Sequence, residues 1–288
     1  MRILILGGSG QLGVALQREL RADHQLSAPS SAQADLRDPD GTRRAIEHAR
    51  ADVVINAAAY TRVDDAESDA EPATALNARA PGIVAASVQA AGTRLIHIST
   101  DYVFDGECGA PYEPSAPGAP VNVYGASKLA GERAVLAECE RALVVRTAWL
   151  HSADSTNFVA TAVRVLRSGK VMRVVDDQVG TPTRAAHLAQ AVARLVRQPD
   201  TRGLLHFTDS GVASWFDVAT CVAETLRSRG ALGSEGDVLP ICTAQNPLRA
   251  RRPRVSLLDK HESWLRIGWT PPHWRVGVSA SINEILDA

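Results

Sequence analysis

The sequence predicts an α/β protein. A doubly wound parallel sheet occupies residues 1–150, with some later segments returning to it, and a smaller lobe is formed mainly by residues 151–288. Three observations predict this. Short apolar runs alternate with amphipathic stretches through the first half of the chain. A glycine-rich turn follows the first run directly. The residues able to do chemistry fall at the carboxyl ends of the runs, where open α/β sheets bind their ligands.

The first run, Arg2–Leu6, is rich in strand formers and is ended by glycine. Gly7-Gly8-Ser9-Gly10-Gln11-Leu12-Gly13 then leads into an amphipathic helix over Gln11–Arg21. Gly7, Gly10 and Gly13 fit G-x-x-G-x-x-G, and Gly8, Gly10 and Gly13 fit G-x-G-x-x-G. Glycines so spaced allow a tight turn, close approach of backbone to a pyrophosphate, and close packing of helix on strand. The helix amino terminus adds free N–H groups and a positive dipole, so the segment reads as a dinucleotide site.

Further strands are expected at Gln25–Ala28, Asp52–Ala57, Arg94–Ser99 and Leu143–Thr147, and helices at Gly41–Arg50, Pro72–Ala91 and Tyr124–Glu140. Ala58 to Thr61, Thr100 with Asp101, and Trp149 sit at strand ends. Beyond about residue 150 the pattern loosens into short helices, short strands and Pro-containing loops. This is the expected smaller lobe, covering the crevice and interleaved with the sheet.

Tyr124 and Lys128 lie four apart on a predicted helix and share a face. An ammonium beside a phenol favours the phenolate, which suits a proton donor to an oxygen that becomes an alkoxide. Lys128, Lys170 and Lys260 are the only lysines among 31 basic residues, and a compact ammonium does not interchange with a planar guanidinium. Other residues admit two readings: Thr100 as reacting hydroxyl or loop cap, Asp101 as sugar ligand or Asx-turn residue, Trp149 as stacking surface or core. Arg249–Arg254 is either a phosphate clamp or a solvated basic face. Asn77, in an Ala-rich helix, reads as a brace for the sheet.

Composition agrees with a soluble enzyme. The net charge of −1 with interspersed signs gives no nucleic-acid footprint, and no apolar run approaches a membrane span. Met1 leads straight into a strand, so no secretory signal is expected. The four cysteines lack C-x-x-C spacing and read as free thiols in a cytoplasmic protein. The eight histidines show no metal-ligand spacing, and no metal ligand is assigned.

Together the glycine turn, Asn56-Ala57-Ala58-Ala59, Ser99 to Gly106 and the Tyr124/Lys128 pair resemble the extended short-chain dehydrogenases/reductases. Asp177-Gln178-Val-Gly180-Thr-Pro182-Thr183 and Ala250-Arg-Arg252-Pro253 make the whole chain similar to the dTDP-4-dehydrorhamnose reductase family. Tyr60 stands where such enzymes often have His, and Arg254-Val255 where Asn before Ser is more usual. The resemblance implies reduction of the 4-keto group of a nucleotide-linked 6-deoxy hexose by NADPH or NADH. It implies the pyrophosphate at Gly10, Gln11 and Leu12, the adenine end at Asp35 and Leu36, and the nicotinamide side at Ala59, Tyr60 and Thr61. Lys128 would hold the nicotinamide ribose and lower the pKa of Tyr124, the proton donor, while Thr100 binds the reacting oxygen and Asp101 and Trp149 bind the sugar.

An epimerase or dehydratase on the same scaffold and a non-catalytic NADP-binding regulatory subunit are the alternatives. Tyr102 after Asp101, where a dehydratase wants Glu, and the joint presence of Thr100, Tyr124 and Lys128 weigh against them. The end of the second strand, Leu26 to Ser31, holds no carboxylate to repel a 2′-phosphate and no arginine to clamp one, which leans the choice weakly toward NADPH. A homodimer is the expected assembly. A magnesium ion at its interface lies beyond what residue spacing reads.

Overall fold

The computed structural model describes every residue except Pro247. Six parallel strands form the central sheet: β1 (Arg2–Leu6), β2 (Gln25–Ser27), β3 (Val53–Asn56), β4 (Arg94–Thr100), β5 (Leu143–Thr147) and, after a long excursion, a strand at Gly203–His206. The order from one edge is Gly203–His206, β5, β4, β3, β1, β2. The chain leaves β1 outward to β2 and returns on the other side to β3, so the switch point lies between the ends of β1 and β3.

Alternate strand residues feed two cores. Ile3, Ile5, Ile55, Ile96 and Val145 pack under α1 (Gln11–Leu20) and a helix at Ala185–Val196. Leu4, Leu6, Val54, Leu95 and Val144 pack on the other face with the helices Pro39–Ala49, Ala80–Ala90 and Val123–Glu138. Burial on both faces explains why the strands read as continuous apolar runs. A third cluster gathers the helices Phe158–Arg167, Trp215–Ser228 and Trp274–Asp287 with Val174 and Val238 of a two-stranded parallel pair.

The predicted strands match to within a residue or two at each end, and the main departure is the expected helix Pro72–Ala91. It divides into Ala70–Thr74, a π-turn over Ala75–Arg79, and Ala80–Ala90. Pro81 is the cause, since it has no N–H to give the carbonyl of Asn77 four residues back. The Ala80 N–H reaches the carbonyl of Ala75 instead, and the widened turn frees the Asn77 carbonyl. Gly131, on the helix Val123–Glu138, packs there so closely that a Cβ would lie 2.0 Å from that oxygen. A short helix at Val63–Ser68, not foreseen, follows the loop after β3.

Candidate active site

At the switch point Gly7 has φ of +81°, and a Cβ on it would lie 2.6 Å from the Ala58 nitrogen. A Cβ on Gly13 would lie 2.2 Å from the Gly7 carbonyl oxygen, so helix and strand close up only with glycine at both places. Helix α1 begins at Gln11 with no side-chain cap and no acidic residue in its first turn. Its free N–H groups and dipole therefore point unneutralised at the crevice, which fits a pyrophosphate. Leu12 buries its side chain in the core beneath. The Gln11 side chain accepts hydrogen bonds from Ser152 (3.3 Å) and Asn157 (3.1 Å), tying the turn to the loop beyond Trp149.

Near the end of β2, Leu36 is a core residue and Asp35 is committed to Arg37 through hydrogen bonds of 2.8 to 3.2 Å. That pair holds the Asp35 carboxyl below its usual range. Arg62 lies 3.9 Å from Asp65.

The reacting groups come from β4 and the helix Val123–Glu138. Thr100 ends β4, buried, and donates to Asp101 Oδ1 (3.0 Å) while accepting from the Tyr102 N–H (3.2 Å). Tyr124 stands one turn before Lys128 and packs edge-on against Tyr102, with ring centroids 5.7 Å apart. Lys128 is 2% exposed, and its ammonium donates to the Ile98 carbonyl at 2.7 Å. Burial lowers the Lys128 pKa to about 8, offset in part by the Glu132 carboxylate one turn on.

The expected lowering of the Tyr124 pKa by Lys128 is not what the structure holds. Burial pushes the phenol up to about 12, the Thr100 hydroxyl pulls it partly back, and the Asp101 charge adds to the rise. The ammonium is spent on the Ile98 carbonyl rather than on the phenol.

Neighbouring side chains fix this geometry. Asn77 Oδ1 accepts from the Tyr60 N–H (2.8 Å), and its Nδ2 donates to the Tyr60 carbonyl (2.9 Å) and to Ser127 Oγ (3.1 Å). Ser127 in turn donates to the Tyr124 carbonyl at 2.7 Å. Asn77 thus braces the loop after β3 and a helix, rather than the sheet. The helix carrying Tyr124 is capped by Asn122, whose side chain accepts from the Gly125 N–H (2.7 Å), and the Val123 N–H donates to Glu67 (2.7 Å). A Cβ on Gly125 would meet the Tyr102 carbonyl oxygen at 2.1 Å, so glycine lets this helix press onto the turn after β4.

The arginine segment is largely a solvated face, with most of its charges tied to partners. Arg252 pairs with Asp64, one contact being 2.8 Å, and holds that carboxyl down at about 2. Arg251 pairs with Glu107 (2.7 Å) and Arg249 donates to Ser68 (2.7 Å), leaving Arg254 exposed without such a partner among the described residues. Trp149 takes φ of +47°, a left-handed backbone unusual for a bulky residue. Its indole stacks on Trp215 with centroids 3.7 Å apart, and Gly180 abuts it so closely that a Cβ would lie 2.6 Å away. The sequence singled out Asn77 and the segment holding Arg252, yet their pairings depend on contacts between distant segments. Trp215 carried no local signal.

A family model described as the RmlD substrate binding domain matches residues 1–286. A dTDP-4-dehydrorhamnose reductase of Mycobacterium tuberculosis is 42% identical over 289 residues, spanning 98% of this chain and 92% of that protein. The crystal structure of such a reductase from Clostridium acetobutylicum superposes with a TM-score of 0.93 at 33% identity, covering 99% of this chain and 100% of the other. The Bacillus anthracis enzyme, solved in complex with NADP, gives 0.91 at 32% identity over 98% of this chain and 99% of its own. The chain belongs to the dTDP-4-dehydrorhamnose reductase family.

Proposed function

We propose that this chain reduces the 4-keto group of dTDP-4-dehydro-6-deoxy-L-mannose to the alcohol of dTDP-L-rhamnose, using NADPH or NADH. The observation that carries the reading is the meeting of Thr100, Tyr124 and Lys128 at the end of β4, on the same carboxyl edge of the parallel sheet as the uncapped amino terminus of α1. The glycine turn at Gly7, Gly10 and Gly13, with Gln11 and Leu12, takes the pyrophosphate. Asp35 and Leu36 lie toward the adenine, and Ala59, Tyr60 and Thr61 toward the nicotinamide. The nicotinamide supplies a hydride to C4 of the sugar.

Tyr124 supplies the proton. A phenol held near 12 stays protonated at working pH and gives its proton only to a strong base, and the oxygen receiving hydride becomes one. Lys128, charged up to about pH 8 and anchored on the Ile98 carbonyl one turn after Tyr124, would hold the nicotinamide ribose. Thr100 orients the reacting oxygen, and Trp149 walls the sugar side against Trp215. The cluster built on residues 158–286 forms the substrate-binding lobe. No helix among the described residues is long and apolar enough to cross a membrane, and Cys108, Cys139, Cys221 and Cys242 are free.

The test is incubation with the authentic keto sugar and NADPH, with the product read by NMR. Stoichiometric loss of reduced-nicotinamide absorbance and appearance of the rhamnosyl product are expected. A flat absorbance with folded protein rejects the reading.

A further inference from the structure

The Thr100 hydroxyl carries one hydrogen and two lone pairs. That hydrogen is directed at Asp101 Oδ1, 3.0 Å away, while the Tyr102 N–H donates into the same Thr100 oxygen. A hydroxyl so arranged can only accept from a group on its open side. Stabilising negative charge on a substrate oxygen demands the opposite polarity, because there Thr100 must donate. One hydrogen cannot serve both partners.

Asp101 is built to release it. The carboxyl is 1% exposed, and its Oδ2 has no hydrogen-bond partner among the described residues. The titratable and charged groups around it are the phenols of Tyr102 and Tyr124, with Arg252 beyond Tyr102; Ser256 adds a hydroxyl. No cation pairs directly with it among the described residues. A buried carboxylate left with an unpartnered oxygen is costly, and the neutral acid is favoured. Burial accordingly raises the Asp101 pKa to about 6, against smaller opposing hydrogen bonds. Once protonated, Asp101 donates to Thr100 Oγ1, and the Thr100 hydrogen turns outward.

We propose that Asp101 is a positioning residue whose proton sets the polarity of the Thr100 hydroxyl, converting it from an acceptor into a donor to the substrate oxygen. The inference rests on the reductase reading. The Asp101 proton is not consumed: it stays between Asp101 and Thr100, and the proton in the product comes from Tyr124. A sugar ring closing over the site removes water and favours the neutral acid further.

The test is the pH profile of kcat for the reduction, in wild type and in Asp101→Asn, Thr100→Val and Thr100→Ser. Wild type loses kcat as pH rises through the Asp101 pKa, with a slope of about one decade per pH unit for a single proton. Asp101→Asn, which donates a permanent N–H to Thr100, abolishes that limb. Thr100→Val abolishes the limb at lower kcat, and Thr100→Ser restores it. A separate fall near pH 8, belonging to Lys128, persists in all variants. Retained NADPH binding by fluorescence titration verifies folding. A limb absent from wild type, a limb surviving in Asp101→Asn or Thr100→Val, or a raised KM with an unchanged profile overturns the inference. Wild type that turns over no keto sugar rejects the reductase reading itself, a distinct result.

Discussion

Asn77 grips the Tyr60 peptide at both ends, accepting from its N–H at 2.8 Å and donating to its carbonyl at 2.9 Å. A side chain on a π-turn therefore shapes the loop after β3 as a backbone strand would. The same amide reaches Ser127, and through it the helix that carries Tyr124 and Lys128.

Replacing Asn77 by Ala leaves both Tyr60 backbone groups unpaired in a half-buried setting, a cost of about 1–3 kcal/mol. The melting temperature should fall, and the KM for NADPH should rise more than kcat falls, because the loop lies on the proposed nicotinamide side. A variant with lowered Tm and unaltered KM would place that loop outside the cofactor path.

Division of labour among the reacting groups predicts three different kinetic signatures. Tyr124→Phe removes the proton donor while keeping the ring, so kcat should collapse with cofactor affinity nearly intact. Lys128→Met should weaken both. Thr100→Val should add roughly 2–4 kcal/mol to the barrier, the range for losing one preorganised donor. Wild-type kcat in Tyr124→Phe would exclude Tyr124 as the acid.

The Arg252–Asp64 pair makes a stability prediction with a defined sign. Asp64 sits at about 2 when folded and near 3.9 when unfolded, so its contribution is present above about pH 4 and fades as pH falls through 2. With side-chain exposures of 14% and 35%, the pair is partly screened and contributes on the order of 1 kcal/mol. Urea midpoints measured from pH 5 down to pH 2 should fall less steeply in Arg252→Ala than in wild type. Parallel profiles would show that the pair does not contribute to acid stability.

Cofactor choice should be weak. Arg37 is engaged by Asp35 and Arg62 leans toward Asp65, so neither is a free clamp for a 2′-phosphate. The ratio of kcat/KM for NADPH over NADH should stay within about tenfold, or 1.4 kcal/mol. A hundredfold preference for NADH would mean that Asp35 turns from Arg37 to the ribose.

Local rules made the sheet half legible. Arg2–Leu6 and Leu143–Thr147 were bounded by glycine and by chemistry-bearing residues, and both strands appear with those limits. The π-turn escaped because a periodic pattern does not show that Pro81 robs one carbonyl of its donor while a glycine on another helix takes up the space. The Tyr–Lys spacing announced a shared face but pointed the phenol's shift downward, where it runs upward. That direction is decided by burial under Tyr102 and Asp101 and by the Ile98 carbonyl that claims the ammonium. Pairings such as Arg252 with Asp64 join segments 188 residues apart, beyond the range of any local signal.

The strand Gly203–His206, hydrogen-bonded along β5, has a consequence for how the protein can be cut. A fragment ending near residue 150 would contain every residue proposed for catalysis, yet it would present β5, wholly buried in the intact chain, as a bare hydrophobic edge. It would also strip the helix Ala185–Val196 from the face it shares with α1. The half that holds the chemistry is thus not an autonomous module. It becomes foldable only after some 200 residues have been made, and a ribosome-bound or proteolysed amino-terminal half should aggregate rather than bind nucleotide.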